Sequence, residues 1–179
     1  MYEKYFKRLF DIVISIILII VLLPIMFLTA IVLLINLGLP ISYEIKSREG
    51  KNKKIFIMYK LRTRKEYKHK SSNEATYTKI SYMVDKLRLN ELPQLFNVLK
   101  GDMSLVGPRP FIPGDTLPIG EISYKRYLLR PGLTGLAQIN SPRTISHKKK
   151  LEYDIIYYDN LSFKNDLKII LKTFKVILK

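Results

Sequence analysis

From Leu9 to Leu37 only Asp11, Ser15, Thr29 and Asn36 are polar. The inner stretch, Ile12 to Ile35, exceeds the ~20 apolar residues that carry a helix across a bilayer core. It stays apolar on every face, which a soluble core helix of that length seldom does. A signal peptide would hold an apolar stretch of about 7–15 residues and a small-residue cleavage site, whereas this run continues into Leu37-Gly38-Leu39-Pro40. The pattern predicts a membrane segment. Lys4, Lys7 and Arg8 precede it and Lys46, Arg48, Lys51, Lys53 and Lys54 follow it, so the positive-inside rule names no orientation. Pro24, near the middle, deletes an internal hydrogen bond and crowds the preceding turn. A helix bent there returns to its starting side as a re-entrant hairpin with both basic flanks cytoplasmic. A single-pass helix with a mild kink fits the pattern equally.

Beyond this run the periodicity shortens. Ile55 to Leu61 is strand-like and follows a basic turn, the polar stretch from Arg64 to Lys79 reads as a mobile loop, and Ile80 to Lys100 has helical spacing interrupted at Pro93. Near the end, Leu167, Ile170, Leu171, Phe174, Ile177 and Leu178 recur at helical spacing beside a stripe of Lys168, Lys172, Lys175 and Lys179. That predicts an amphipathic helix over 166–179, lying in the membrane interface or packed on the domain core. The expected organisation is a membrane anchor over 1–40, a small α/β cytosolic domain over 41–165, and the amphipathic helix over 166–179.

Charge narrows the function. Lys+Arg number 31 against Asp+Glu 15, a formal +16, in a 179-residue chain that is 47% hydrophobic. That is too apolar for a disordered basic tail and short enough for one domain with an appendage. The surplus calls for an anionic partner: nucleic acid, an anionic membrane surface, or a phosphate-bearing substrate. With Cys 0, a disulfide framework, a thiolate metal site and a cysteine nucleophile are excluded, and His69 and His147 alone do not make a polyhistidine metal site.

Proline and glycine punctuate the segment Gly101 to Gly135, in the turns Gly107-Pro108-Arg109-Pro110 and Arg130-Pro131-Gly132-Leu133-Thr134-Gly135. Rigid turns carrying arginine suit phosphate binding, because a guanidinium offers a planar fork of donors. Nearby acids at Glu91 and Asp102 are candidates to hold a divalent cation beside the phosphates. Asp154 and Asp166 are better read as structural acids that pair with basic residues or loop amides.

These residues resemble the monotopic phosphoglycosyl transferases, or bacterial sugar transferases. The likeness is carried by Lys7-Arg8-Leu9-Phe10-Asp11, by Tyr59-Lys60-Leu61-Arg62-Thr63, by the block from Glu91-Leu92-Pro93-Gln94 to Val106-Gly107-Pro108-Arg109-Pro110, and by Arg130-Pro131-Gly132-Leu133-Thr134-Gly135-Leu136-Ala137-Gln138-Ile139-Asn140. Tyr153-Asp154, Asn160-Leu161-Ser162 and Asp166-Leu167-Lys168 extend it in the right order over nearly the whole chain. The resemblance implies a re-entrant membrane helix that turns back at Pro24, with Lys7 and Arg8 at its base, on the cytoplasmic face of a bacterial inner membrane. It implies transfer of a phosphosugar from a UDP-sugar to polyprenyl phosphate, with UMP released, at the start of a surface glycan pathway. It further implies Mg2+ held by Glu91, and anion contacts from Lys60, Arg62, Arg109 and Arg130.

One position departs from the family in its chemistry. An aspartate that attacks the sugar-linked phosphate is expected where Asn90 stands, and an amide is a very poor nucleophile. Lys46, Asp85, Arg88 and Leu23 also differ from the expected glutamine, arginine, serine or threonine, and small polar residue. Three explanations stand at this point: a substitution made to trap substrate; an inactive family member acting as a substrate-binding or membrane scaffold, with a second copy or an active relative as partner; or a replacement nucleophile, Glu91 or Asp85. Against the third, one residue along a helix turns the side chain by about 100°. A nucleic-acid module is the rival class, given Tyr 12 and Phe 8 amid basic charge, but the anchor and the lack of a nucleic-acid motif set it aside.

Overall fold

The structure, a computed structural model, describes residues 2–42, 47–65, 77–114, 124–140 and 146–177. The expected loop over 64–79 and Lys46 lie mostly or wholly outside them. A π-helical turn, Tyr2–Phe6, leads into helix α1, Lys7–Leu37. Strands β1 (Ser47–Glu49) and β2 (Ile55–Ile57) pair antiparallel, Arg48 opposite Phe56. Helix α2 (Lys79–Lys86), a 3-10 turn at Leu89–Glu91 and helix α3 (Gln94–Lys100) occupy the stretch 80–100; the interruption expected at Pro93 is there, and a second break at Arg88 is one the spacing does not foresee. Strand β3 (Ser104–Val106), helix α4 (Tyr124–Tyr127), strand β4 (Gly132–Thr134) and helices α5 (Leu136–Asn140), α6 (His147–Asp159) and α7 (Phe163–Ile177) complete the chain. β3 and β4 run parallel, so the fold is mixed helix and sheet.

The core gathers Phe56, Leu95, Val98, Met103, Leu105, Val106, Leu129, Tyr157 and Ile169, with Phe10, Ile14, Leu18 and Leu22 of α1 packed against it. One face of α1 therefore belongs to the domain, while Leu9, Ile20, Phe27 and Ile35 on others are well exposed. The four polar residues of the apolar run are all accounted for. Asp11 accepts from the Leu105 N–H at 3.0 Å, Ser15 and Thr29 donate to the Ile12 and Ile25 carbonyls, and Asn36 accepts from the Thr78 hydroxyl. The helix break expected at Pro24 is a correction: α1 runs as one helix from Lys7 to Leu37 with Pro24 inside it, because proline removes one ladder bond while its neighbours persist.

Polar side chains tie both ends of α1 to the same domain. Lys7 is buried and forms an ion pair with Asp166 at 2.5 Å, and Asp166 also accepts from the Tyr2 and Tyr157 hydroxyls at 2.6 Å. Arg8 donates to the Val98 and Leu99 carbonyls, closing the end of α3. At the other end, Arg62 donates to the Leu37 and Gly38 carbonyls at 2.8 and 2.6 Å. Helix α7 begins at Phe163, three residues before the expected 166, where the Ser162 hydroxyl accepts from the Asn165 N–H. It buries Asp166 and Ile169 and exposes Phe163, Leu167, Leu171 and Phe174.

Two glycines bring the proline turns together. Gly132 donates to the Pro108 carbonyl at 2.8 Å and Gly107 to the Thr134 carbonyl at 2.9 Å. A Cβ on Gly132 would lie 2.0 Å from the Gly107 nitrogen, a distance only glycine permits. The interlock fixes the backbone from which Arg109 projects.

Candidate active site

α2 ends at Lys86 with Leu87 as its C-cap, and Arg88 takes left-handed backbone angles, φ 60° and ψ 16°. Such a conformation costs a residue with a Cβ about 1 kcal/mol or more and gathers at functional sites. Here it reverses the chain into the Leu89–Glu91 turn, and Pro93, with its φ of −60°, sets the start of α3. The neighbouring segment is fixed on this turn. Leu61 donates its N–H to the Asn90 carbonyl at 2.9 Å, and the buried Asn97 side chain bridges the Tyr59 N–H and the Ile57 carbonyl. Lys60 is thereby held against Glu91, Nζ to Oε1 3.1 Å, with Arg88 on the same oxygen at 3.0 Å.

Glu91 and Lys60 line a cavity of about 240 Å³ whose wall also includes Arg48, Gln94, Arg109, Gln138 and Lys150. Four cations and one carboxylate face this space, an electrostatic setting for a multiply charged anion. Burial alone would push the Glu91 carboxyl up, but the Lys60 ammonium and the Arg88 and Arg109 guanidiniums outweigh it and hold it below its ordinary value. Glu91 is therefore an anion at neutral pH.

Arg109 is set from behind by a buried pair. Arg126 holds Asp154 at 3.0 Å, donates to the Arg109 carbonyl, and stacks over the Phe111 ring at 3.7 Å. Burial, only partly offset by Arg126, raises the Asp154 carboxyl to about 6. Asp154 and Asp166 thus both pair with basic residues, as their expected structural role requires.

The structure does not bring all the expected site residues together. Lys60, Glu91 and Arg109 meet at the cavity. Arg62 is a correction: it is buried, and its guanidinium caps α1 instead of reaching the cavity. Arg130 is a second: its Nε donates to the Gly101 carbonyl at 3.0 Å, with Glu3 3.9 Å away. Lys7 and Arg8 are spent on Asp166 and the α3 carbonyls, so they tie the helix to the protein, and Asp102 pairs with Lys100 at 3.3 Å. Arg48, Gln94, Gln138 and Lys150 join the wall unforeseen. Gln94 and Gln138 stood inside quoted motifs without a role, and Lys150 is one of three lysines in a row whose orientation only α6 decides.

Asn90 is fully buried. Its Nδ2 donates to Asp85 Oδ1 at 2.9 Å, while its own Oδ1 has no hydrogen-bond partner. The second Asp85 oxygen accepts from the Tyr77 hydroxyl at 3.4 Å, which in turn accepts from Arg64 Nε at 3.0 Å.

Comparison with known proteins adds sequence relatives to this geometry. Residues 2–179 match the family described as bacterial sugar transferase. The uncharacterised sugar transferase EpsL of Bacillus subtilis is 42% identical over 96% of this chain and 87% of its own length. The undecaprenyl-phosphate galactose phosphotransferase of Salmonella typhimurium is 35% identical over 99% of this chain, and a UDP-N-acetylgalactosamine-undecaprenyl-phosphate N-acetylgalactosaminephosphotransferase of Aeromonas hydrophila is 33% identical over 97%. The chain spans only 41% and 44% of the length of those last two.

Proposed function

The chain belongs to the bacterial sugar transferase family, and from that premise we propose that it moves a phosphosugar from a UDP-sugar to undecaprenyl phosphate, releasing UMP. The observation that carries this reading is the cavity on which Arg48, Lys60, Arg109 and Lys150 surround Glu91. Four cations offset a diphosphate, and a carboxylate can approach phosphorus only when such charge cancels the repulsion between anions. Arg126 holds the backbone at Arg109, the Asn90 and Asn97 contacts hold the backbone on either side of Lys60, and the Lys60 ammonium already rests on Glu91, so part of the ordering cost of binding is met in advance.

Among the described residues no group of three His, Cys, Asp or Glu gathers to hold a metal. A single carboxylate on the wall nonetheless fits Mg2+, which is commonly bound by one or two carboxylates together with substrate phosphates and water. Glu91 would hold it, and the ion would add to the charge offset on the diphosphate.

The membrane reading belongs with this function. Exposed apolar side chains on α1 and α7 supply the inserted surface, and the ties at both ends of α1 to one domain favour keeping both ends on one side of the inner membrane, with the helix bending at Pro24 without losing its continuity as the middle dips into the leaflet. The inactive-scaffold alternative drawn from Asn90 has no support among relatives whose names are those of transferases.

Purified protein in detergent, given undecaprenyl phosphate, Mg2+ and UDP-glucose, UDP-galactose or UDP-N-acetylgalactosamine in turn, is expected to release UMP with at least one donor. Chelation by EDTA is expected to abolish release. Silence with every donor would overturn the transferase reading, and release unaffected by EDTA would overturn the magnesium assignment.

A further inference from the structure

We infer that the Gln94 and Gln138 amides form a neutral subsite that takes hydroxyl groups of the donor next to its diphosphate, an assignment that rests on the transferase reading above. Both residues line the cavity that holds Lys60, Glu91 and Arg109. Gln94 is only 5% exposed, and its side-chain amide makes no hydrogen bond to another described residue. Gln138 Oε1 is buried and has no hydrogen-bond partner. Buried polar atoms are nearly always paired, so two unengaged amides on one cavity wall point to a group that enters the cavity and completes them.

The backbone beneath both amides is fixed. Gln94 is the first residue of α3, directly after Pro93, whose ring sets the start of that helix. Gln138 lies in α5, and the strand that leads into α5 is locked by the Gly107 N–H on the Thr134 carbonyl. Gln138 Oε1 rests close over Gly135, where a Cβ would stand 2.8 Å from it. With the backbone ordered in advance, only side-chain rotamers are left to settle when a ligand arrives.

Chemistry narrows what that group is. An amide oxygen such as Gln138 Oε1 needs a donor, and an ionised phosphate has none to give. The cations of the wall suit the diphosphate, whereas the amides suit a neutral group that both donates and accepts, as a hydroxyl does. Met58 and Leu133 on the same wall offer apolar surface to the C–H face of a sugar ring. A nucleobase would gain most from stacking, but Phe111, the aromatic residue of this wall, is only 4% exposed and has the Arg126 guanidinium over its ring at 3.7 Å. The donor carries hydroxyls on both sides of its diphosphate, on the ribose and on the transferred sugar, and the test separates the two.

The full chain in detergent, with undecaprenyl phosphate and Mg2+, is assayed for UMP release from the best of the three UDP-sugars and from its deoxy analogues, each lacking one hydroxyl of the ribose or of the sugar. Gln94→Met and Gln138→Met remove the amides at nearly constant length. Each is expected to lower kcat/KM by about 5-fold or more. For at least one hydroxyl, its deletion should cost the unaltered chain a similar factor and cost the matching variant less than about twofold, because the two changes remove one and the same contact. The hydroxyl that couples in this way assigns the subsite to the ribose or to the sugar. Losses that multiply at every hydroxyl would mean a merely structural role for the amides, and folded variants with unchanged kcat/KM would mean no contact; either result overturns the assignment while leaving the transferase reading intact. Where a variant fails to fold, the unaltered chain decides: one hydroxyl whose deletion costs about 5-fold upholds the subsite, and deletions that all go without cost overturn it. No UMP release from any donor would overturn the transferase reading and the assignment with it.

Discussion

Arginine side chains in this protein divide by what lies within reach of their forks. Arg8 and Arg62 spend their donors on carbonyls at helix ends, whereas Arg48 and Arg109 face the cavity beside Lys60. Charge-assisted hydrogen bonds are worth about 1.5–3 kcal/mol, so Lys60→Ala or Arg109→Ala should each weaken UDP binding by about 10–100-fold in isothermal titration. Arg62→Ala should leave UDP affinity within about twofold and lower the melting temperature instead, because it uncaps α1. Glu91 adds a pH dependence of known sign. Its carboxyl is held below the ordinary 4.5 by Lys60 and its neighbours, so ionised Glu91 contributes stability above that value, and the contribution is lost as pH falls through the lower folded value. Melting curves between pH 5 and 3 should therefore fall more steeply for the unaltered protein than for Glu91→Gln; parallel curves would contradict the ion-pair account.

At the scale of elements, periodicity was sufficient for the apolar helix, because about thirty side chains repeat one message, and for the amphipathic character of α7. Within Ile80 to Lys100 it located the break at Pro93 but not the one at Arg88, where a single left-handed residue ends α2 and nothing in the composition signals it. It also could not divide the arginines, since a guanidinium over a helix end and one over a phosphate have the same sequence neighbours. The motif makes Arg62 an anion contact, and the motif with its rigid turn makes Arg130 one, but the carbonyls they cap are placed by contacts across 25 and 29 residues of chain. The proposed topology of α1 rests on those same ties. Because the protein has no cysteine, single cysteines at Tyr5 and Leu39, both exposed, report the two ends of the helix. A membrane-impermeant maleimide added to inverted inner-membrane vesicles should label both equally; labelling of Leu39→Cys only in intact spheroplasts would mean that α1 crosses the bilayer.

For the whole molecule, the +16 charge has two places to act, and the fold separates them. One is the cavity; the other is the outer surface of α7, where Lys164, Lys168, Lys172 and Lys175 are exposed next to Phe163, Leu167, Leu171 and Phe174. A surface lysine near anionic lipid is worth about 1 kcal/mol, and an adjacent apolar stripe inserts shallowly into the headgroup boundary. If α7 lies on the membrane, it holds the core face carrying Ile169 at a fixed height over the lipid, and with it the cavity that must receive a lipid-borne phosphate. Leu171→Glu with Phe174→Glu should then leave melting in detergent unchanged, because neither side chain is buried, yet lower UMP release in phosphatidylglycerol nanodiscs at least about threefold. The loss should be smaller in detergent, where the bilayer no longer sets the height of the site. Equal activity of the double variant in both media would place α7 away from the lipid and leave α1 as the whole of the anchor.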